Sequence, residues 1–260
     1  MPMQLTILKI GGNVLDQPAA LHDALDYFAA LPGAAVLVHG GGKKASQVLR
    51  ELGHEPVMID GRRITDAATL EIVTMVYAGL LNKDLVAQLQ RRGCNAIGLS
   101  GADGNSVLAT KRPVKTIDYG FAGDVQAVNA VLLAGLLDLG LRPVLCPITH
   151  DQRGQLLNTN ADTIAKATAT ALATHGYQVS LRYCFELPGV LRDLHDPASV
   201  IPELNPSLYA DALADGSIGG GMIPKLDNAF AAVAAGVSEV IIGDLAAHRA
   251  GRGTRCRADG

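Results

Sequence analysis

Long hydrophobic runs are missing from this 260-residue sequence. The longest, such as residues 229–237, fall far short of the ~20 apolar residues a membrane-spanning helix needs. The opening MPMQLTILKIGG has no basic stretch ahead of an apolar one, so no secretory signal is expected and the chain reads as a strand from its start. Cysteine is scarce: Cys94, Cys146, Cys184 and Cys256 lie far apart, without a C-x-x-C pair or the Cys/His spacing of a zinc site. Reduced thiols in the cytoplasm are the expectation, and no protein-held metal. Excess charge is lacking too. The 22 Lys+Arg against 25 Asp+Glu leave a formal charge of −3, with a pI near 6.1, so no basic field awaits nucleic acid or an anionic membrane. A small anionic substrate stays open, because it needs only local positive charge. Also absent are the P-loop G-x-x-x-x-G-K-[ST], H-E-x-x-H, G-x-S-x-G and the kinase H-R-D, and the seven histidines are dispersed.

What the sequence has is apolar material for a core: 48% hydrophobic residues, with charged residues at 18% against ~25% for an average globular chain. The first hundred residues repeat one theme of apolar run, glycine loop and amphipathic helix. Residues 5–10 predict a strand closed by Gly11-Gly12, and residues 19–31 a helix with Leu21, Leu25 and Phe28 on one face. A second strand over 35–38 ends in His39-Gly40-Gly41-Gly42 and leads to a helix over 45–52. A long helical stretch runs from 65 to 92, followed by a strand over 96–99, a helix over 127–138 and a strand over 143–148. Asp151-Gln152-Arg153-Gly154 reads as a hairpin turn before residues 155–157, and residues 161–174 as an alanine-rich helix. After a soft lobe boundary near 175 come a strand over 179–185, helices over 206–214 and 223–235, and a strand over 239–242. The last dozen residues, rich in Arg and Gly, read as mobile. Apolar strands alternating with helices imply an α/β architecture around a mainly parallel sheet covered on both faces.

Two strand-to-helix glycine loops in a parallel sheet open on the same carboxyl edge, where open α/β folds bind ligands. Their backbone N–H groups suit an anion, although a tight turn needs glycine equally. Lys9 closes an otherwise apolar strand just before Gly11; a lysine there meets an anion or snorkels to the surface. Lys225 lies in the first turn of a helix, where anions are favoured, or is simply solvated. Asp162 closes Asn158-Thr159-Asn160-Ala161-Asp162, a constellation able to orient a ligand and its lysines, or merely a helix cap. Arg63 offers a bidentate fork to a carboxylate, or is an ordinary surface arginine. Lys43 and Lys44 are solvated residues of a helix start or extra anion contacts. A rival fingerprint, Gly40-x-Gly42-x-x-Ala45 with Asp60 about twenty residues on, points to a nicotinamide-dependent oxidoreductase.

The segments Leu8-Lys9-Ile10-Gly11-Gly12-Asn13, Val38-His39-Gly40-Gly41-Gly42, Asp60-Gly61-Arg62-Arg63-Ile64-Thr65, Asn158-Thr159-Asn160-Ala161-Asp162 and Gly221-Met222-Ile223-Pro224-Lys225 occur in the order found in acetylglutamate kinases. The chain therefore resembles that branch of the amino acid kinase family from residue 5 to about 243. The resemblance implies a three-layer αβα sandwich with two lobes, 1–175 for the acylglutamate and dimerisation, and 176–260 for ATP. It implies transfer of the ATP γ-phosphoryl, with Mg²⁺ held mainly by the nucleotide phosphates, to the side-chain carboxylate of N-acetyl-L-glutamate in arginine biosynthesis. Lys9 and Lys225 resemble the lysines that hold the transferring group, and Asp162 the aspartate that orients both. Gly11, Gly12, Gly41 and Gly42 resemble the residues that supply backbone N–H groups, while Arg63 and Asn158 resemble the clamp on the acylamino acid. N-succinyl-L-glutamate is an alternative acceptor, and a non-catalytic acylglutamate sensor an alternative role. The segment over 181–190 departs from the relatives' L-S/T-D-V-x-G-V pattern, so adenosine contacts do not carry over. With its first strand starting by Leu5, the chain has no room for the N-terminal helix of arginine-inhibited relatives, which implies a homodimer insensitive to L-arginine.

Overall fold

A computed structural model describes residues 3–59, 61–193, 195–214, 216–218 and 222–259, with residue 224 by its backbone alone. The strands are β1 (Gln4–Ile10), β2 (Ala34–His39), β3 (Met58–Ile59), β4 (Arg62–Arg63), β5 (Ala96–Leu99), β6 (Val107–Lys111) and β7 (Gly123–Val128). They continue with β8 (Arg142–Leu145), β9 (Ile148–His150), β10 (Leu156–Asn158), β11 (Gln178–Cys184), β12 (Glu203–Leu204), β13 (Glu239–Gly243) and β14 (Thr254–Cys256). The helices are α1 (Gly12–Asp16), α2 (Pro18–Ala29), α3 (Gly42–Glu51), α4 (Ala67–Thr74), α5 (Asn82–Arg91), α6 (Ala130–Asp138), α7 (Ala161–Thr174), α8 (Pro206–Ala214), α9 (Ile223–Ala234) and α10 (Leu245–Arg249).

An eight-stranded sheet in the order β12-β14-β13-β11-β1-β2-β8-β5 forms the middle layer. Its pairings are parallel except β13 with β14. The period-two alternation of β1 explains how both faces come to be covered. Leu5 and Ile7 enter the core with Ile164, Ala165 and Leu172 of α7, whereas Leu8 and Ile10 pack with Leu25 and Phe28 of α2 and Leu85 and Leu89 of α5. Each such side chain, fully buried, contributes about 1.5–3 kcal/mol. Lys9 falls on the α7 side of that alternation, at the carboxyl end of the strand. The predicted boundary near 175 lies between α7 and β11, and β1 pairs with β11 along its whole length, so one sheet runs through both parts of the chain.

Three expectations are corrected and one, the long helix, is refined. The run over 143–148 is not one strand: it divides at Cys146-Pro147 into β8 of the large sheet and β9 of a second sheet, ordered β10-β9-β6-β7. Proline lacks the N–H that a continuous central strand would donate. The helix expected from 127 starts at Ala130; residues 127 and 128 end β7, and Asn129 caps the helix by accepting from Leu132 N at 3.0 Å. The long helix contains a π-helical turn, Met75–Leu81, between α4 and α5. The tail is not wholly loose, since β14 pairs with β13 and buries Cys256 completely.

Two histidines are sealed into the fold. His39 is fully buried, with Nδ1 2.7 Å from Gly40 O and Nε2 3.2 Å from Asn82 Nδ2, so the neutral ring donates to the glycine loop and accepts from Asn82. His248 Nε2 lies 3.1 Å from Tyr183 O. Burial pushes both imidazoles down from 6.5 to about 4. Between those values the unfolded chain binds a proton that the native ring refuses, so this stabilisation is complete above about pH 6.5 and is lost as pH falls toward 4. At 1.36 kcal/mol per unit, each ring accounts for about 3 kcal/mol. Urea unfolding should therefore show stability flat above about pH 7 and declining toward pH 4.5, with a shallower decline in His39→Gln. Identical slopes in the two proteins would contradict this role for the ring.

Candidate functional site

The carboxyl edge of the sheet brings the sequence-derived residues together. Lys9 pairs in register with Tyr183 of β11 and Val38 of β2, so Gly11, Gly40 and Phe185 all emerge beside it. Gly11 and Gly12 start α1, and Gly41 and Gly42 start α3. Gly41 adopts φ +149°, and a Cβ there would collide with Leu81 Cδ1 and come within about 3 Å of the Tyr77 ring, so both conformation and space require glycine. Two adjoining cavities, of about 210 and 590 Å³, share Gly11, Gly12, Gly42, Met58 and Arg63.

Lys9 is not an open surface lysine. Its side chain is 9% exposed, and Nζ lies 2.7 Å from Asp162 Oδ1 in the first turn of α7. Asn160 has the plainer role: its Oδ1 caps α7, accepting from Asp162 N at 2.7 Å and Thr163 N at 3.2 Å. That cap fixes the turn carrying Asp162. Lys225 stands in the first turn of α9, its Nζ 4.1 Å from the centre of the Phe185 ring. Partial burial holds its ammonium below the usual lysine value, reinforced by the charge of Lys9 and opposed by Asp162 and Glu186. Lys9, Lys225 and Arg63 against Asp162 and Glu186 leave net positive charge in the cleft, which suits a polyphosphate better than a bare metal cation. Among the described residues no group of three His, Cys, Asp or Glu is placed to hold a metal ion.

Arg63, 6% exposed, is buried rather than superficial. Its Nη2 donates to Gly42 O at 2.9 Å and Ser46 Oγ at 2.8 Å, tying β4 to the glycine loop. Its Nη1 is buried without a partner, although Arg63 lines both cavities. A buried guanidinium N–H left unspent is costly, and an anion in the cavity would satisfy it. Asn158, at the end of β10, donates Nδ2 to Thr65 Oγ1 at 3.0 Å, and Thr65 Oγ1 donates to Arg63 O at 3.0 Å. Arg63, Thr65 and Asn158 thus form one connected wall.

Other residues divide. Lys43 is largely exposed, 4.0 Å from Asp16 Oδ2, and Lys44 donates to Gln47 Oε1 at 3.2 Å on the surface. Asp60 of the rival fingerprint and Gly221 of the Lys225 motif lie outside the described residues. Tyr77, Thr65, Ser46 and Phe185 were not singled out for the site by the sequence. Of these, Tyr77 gave a signal as part of an apolar helix face, Thr65 as the last residue of a segment that carries the resemblance, and Phe185 as part of the segment that departs from it.

The family model for the amino acid kinase family matches residues 4–244. An acetylglutamate kinase of Bacteroides thetaiotaomicron is 53% identical over 257 residues, covering 99% of this chain and 100% of that protein. An acetylglutamate kinase of Cytophaga hutchinsonii is 56% identical over 240 residues, covering 92% of this chain and 90% of its own. The solved structure of a Giardia lamblia carbamate kinase bound to AMP-PNP shares the fold at a TM-score of 0.67 and 15% identity, covering 99% of each chain. These matches do not favour an oxidoreductase.

Proposed function

This chain belongs to the amino acid kinase family, and from that premise we propose that its cleft transfers the γ-phosphoryl group of ATP to the side-chain carboxylate of N-acetyl-L-glutamate. It is a phosphotransferase, an acetylglutamate 5-kinase of amino-acid biosynthesis. A glutamyl carboxylate is ionised near pH 7 and needs no general base. The obstacle is to bring that anion in line with a polyphosphate, which calls for positioning and positive charge. A carboxylate oxygen attacks the γ-phosphorus, the bond to the β–γ bridging oxygen breaks, and an acyl phosphate and ADP result.

We assign Lys9 and Lys225 to the equatorial oxygens of the migrating group, with Asp162 setting their separation, and the amides of Gly11, Gly12, Gly41 and Gly42 to the negative charge that builds up. Mg²⁺, when bound, neutralises charge on the nucleotide phosphates; we assign it chiefly to those phosphates, the usual arrangement for this ion. We assign the acylglutamate to residues 1–175 and ATP to residues 176–260. Buried, free thiols at all four cysteines accord with a cytoplasmic enzyme.

The observation that carries the acceptor reading is the unspent Nη1 of Arg63, a residue that lines the same cavity as Asn158 and Lys9. We assign it to the α-carboxylate. Arg63→Lys should raise KM for the acylglutamate about 10- to 100-fold with KM for ATP nearly unchanged, since a point charge does not replace a fork. Equal damage to both constants would give Arg63 a purely supporting role. The activity itself is tested by trapping acyl phosphate with hydroxylamine in the presence of MgATP, offering N-acetyl-L-glutamate, N-succinyl-L-glutamate, L-aspartate and carbamate. Hydroxamate from N-acetyl-L-glutamate alone, or best, is expected; preference for another acceptor would overturn the assignment.

We also propose a homodimer. Met75 and Leu80, 59% and 54% exposed, stand out from the π-helical turn, and a single self-complementary patch suits a two-fold pair. Light scattering should give twice 27.0 kDa, reduced to one chain by Met75→Glu with Leu80→Glu. A wild-type mass of one chain would contradict it.

A further inference from the structure

The segment that departs from the relatives' pattern places an aromatic ring among the charged groups of the cleft. Phe185 follows the last residue of β11, and its backbone is pinned by donation from Phe185 N to Gly243 O at 2.8 Å. Its ring stacks on Tyr183 with centres 5.9 Å apart and planes 13° from parallel. Tyr183 in turn donates its hydroxyl to Asp162 O at 3.3 Å. The ring is therefore fixed on both sides, by the sheet and by the helix that carries Asp162. Lys225 Nζ sits 4.1 Å from its centre and Lys9 Nζ 5.9 Å.

An ammonium within about 6 Å of a ring centre is attracted by the negative face of the quadrupole, most strongly when partly desolvated. Lys225 needs such help. Lys9 has taken Asp162 at 2.7 Å, and Lys225, on a long flexible stem, faces the repulsion of Lys9 with Asp162 and Glu186 as the attracting charges. A carboxylate placed against Lys225 would attract it more strongly, but would repel the polyphosphate. A neutral ring has an attractive face and no net charge, so it can hold the ammonium without opposing its anionic substrate.

We propose that Phe185 is a positioning residue that holds the Lys225 ammonium at the transfer site of the empty enzyme, ready for the phosphoryl group. This rests on the kinase reading for its purpose, though the contact itself does not. Lysine is thereby pre-organised, and ATP does not have to draw it from solution.

The test reads Lys225 directly. Acetic anhydride labelling across graded pH, quantified peptide by peptide without substrate, gives the apparent pKa of each lysine. Phe185→Leu should lower that of Lys225 by roughly half a unit or more, with Lys9 moving less, because the ring face favours the charged form. Its kcat should fall roughly 3- to 30-fold, and the basic limb of the kcat/KM profile for ATP, which reports the free enzyme, should move to lower pH. Replacing Phe185 by 3,4,5-trifluorophenylalanine keeps the shape and depletes the ring face, so it should shift Lys225 in the same direction in a folded protein. Phe185→Tyr should restore both readouts. An unmoved Lys225 in the fluorinated protein would overturn the proposal, as would a rate loss in Phe185→Leu with an unshifted basic limb. Failure of wild-type enzyme to form an acyl phosphate would instead remove the kinase reading, leaving the labelling result standing.

Discussion

Removing either lysine ammonium should lower kcat by about 10²-fold or more, the scale for losing one pre-organised charge at a developing anion. Lys225→Ala and Lys9→Met are the cleaner choices. Lys225 is itself an exposed residue in the first turn of α9, whereas the stem of Lys9 is buried beside the α7 core, and methionine keeps most of its volume. KM for N-acetyl-L-glutamate should change far less than kcat, because the lost interaction belongs chiefly to the transferring group. Stopped-time hydroxamate assays give kcat, and urea unfolding checks the fold. Turnover within a few-fold of wild type in either variant would remove that lysine from the mechanism.

Asp162→Ala should be nearly as damaging to turnover and more damaging to the empty protein. Lys9 Nζ would lose the carboxylate 2.7 Å away while remaining almost wholly buried. A buried charged group stripped of its partner costs about 1–3 kcal/mol or more. The same change leaves Lys9 and Lys225 facing each other with Glu186 as the acid acting on Lys225, so the site attracts anions more strongly. Three readings should therefore separate: kcat falls about 10²-fold, the unfolding free energy drops without ligand, and added ATP restores more stability than in wild type. If ATP stabilises the variant and the wild type equally, Asp162 does not govern the charge of the cleft.

The parts of the fold that sequence reading captured are those whose determinants are local. Strand β5 and helices α7 and α8 are predicted at their observed bounds, because an apolar run or an Asn cap defines them within a few residues. The glycine loops and Lys9 were legible for the same reason: a lysine that closes a buried strand before two glycines has few inexpensive environments. What escaped depends on distant partners. Strand β6 has an exposed carboxyl end, Thr110-Lys111, and owes its existence to pairing with β7 and β9, and β14, three residues in an Arg/Gly-rich tail, to β13. The division of β8 from β9 was hidden inside one apolar run, with Pro147 its local sign. In the site, Arg63 was legible as an arginine but not as a buried one, since its burial comes from Gly42 and Ser46, some twenty residues away. The sequence predicts Phe185 as the last residue of a strand, which carries no sign of a place against a lysine. Its place against Lys225 follows from α9 crossing to the same edge, forty residues later.

The attack of a carboxylate oxygen on phosphorus is followed most directly with N-acetyl-L-glutamate carrying oxygen-18 in its side-chain carboxylate. Enzyme and MgATP would form the acyl phosphate, hydroxylamine would cleave it at the carbonyl carbon, and mass spectrometry would read the released phosphate. Phosphate bearing one oxygen-18 atom is expected, because the bridging oxygen travels from substrate to phosphorus. Hydroxamate formed with unlabelled phosphate, or ADP formed with no hydroxamate, would contradict phosphoryl transfer to that carboxylate.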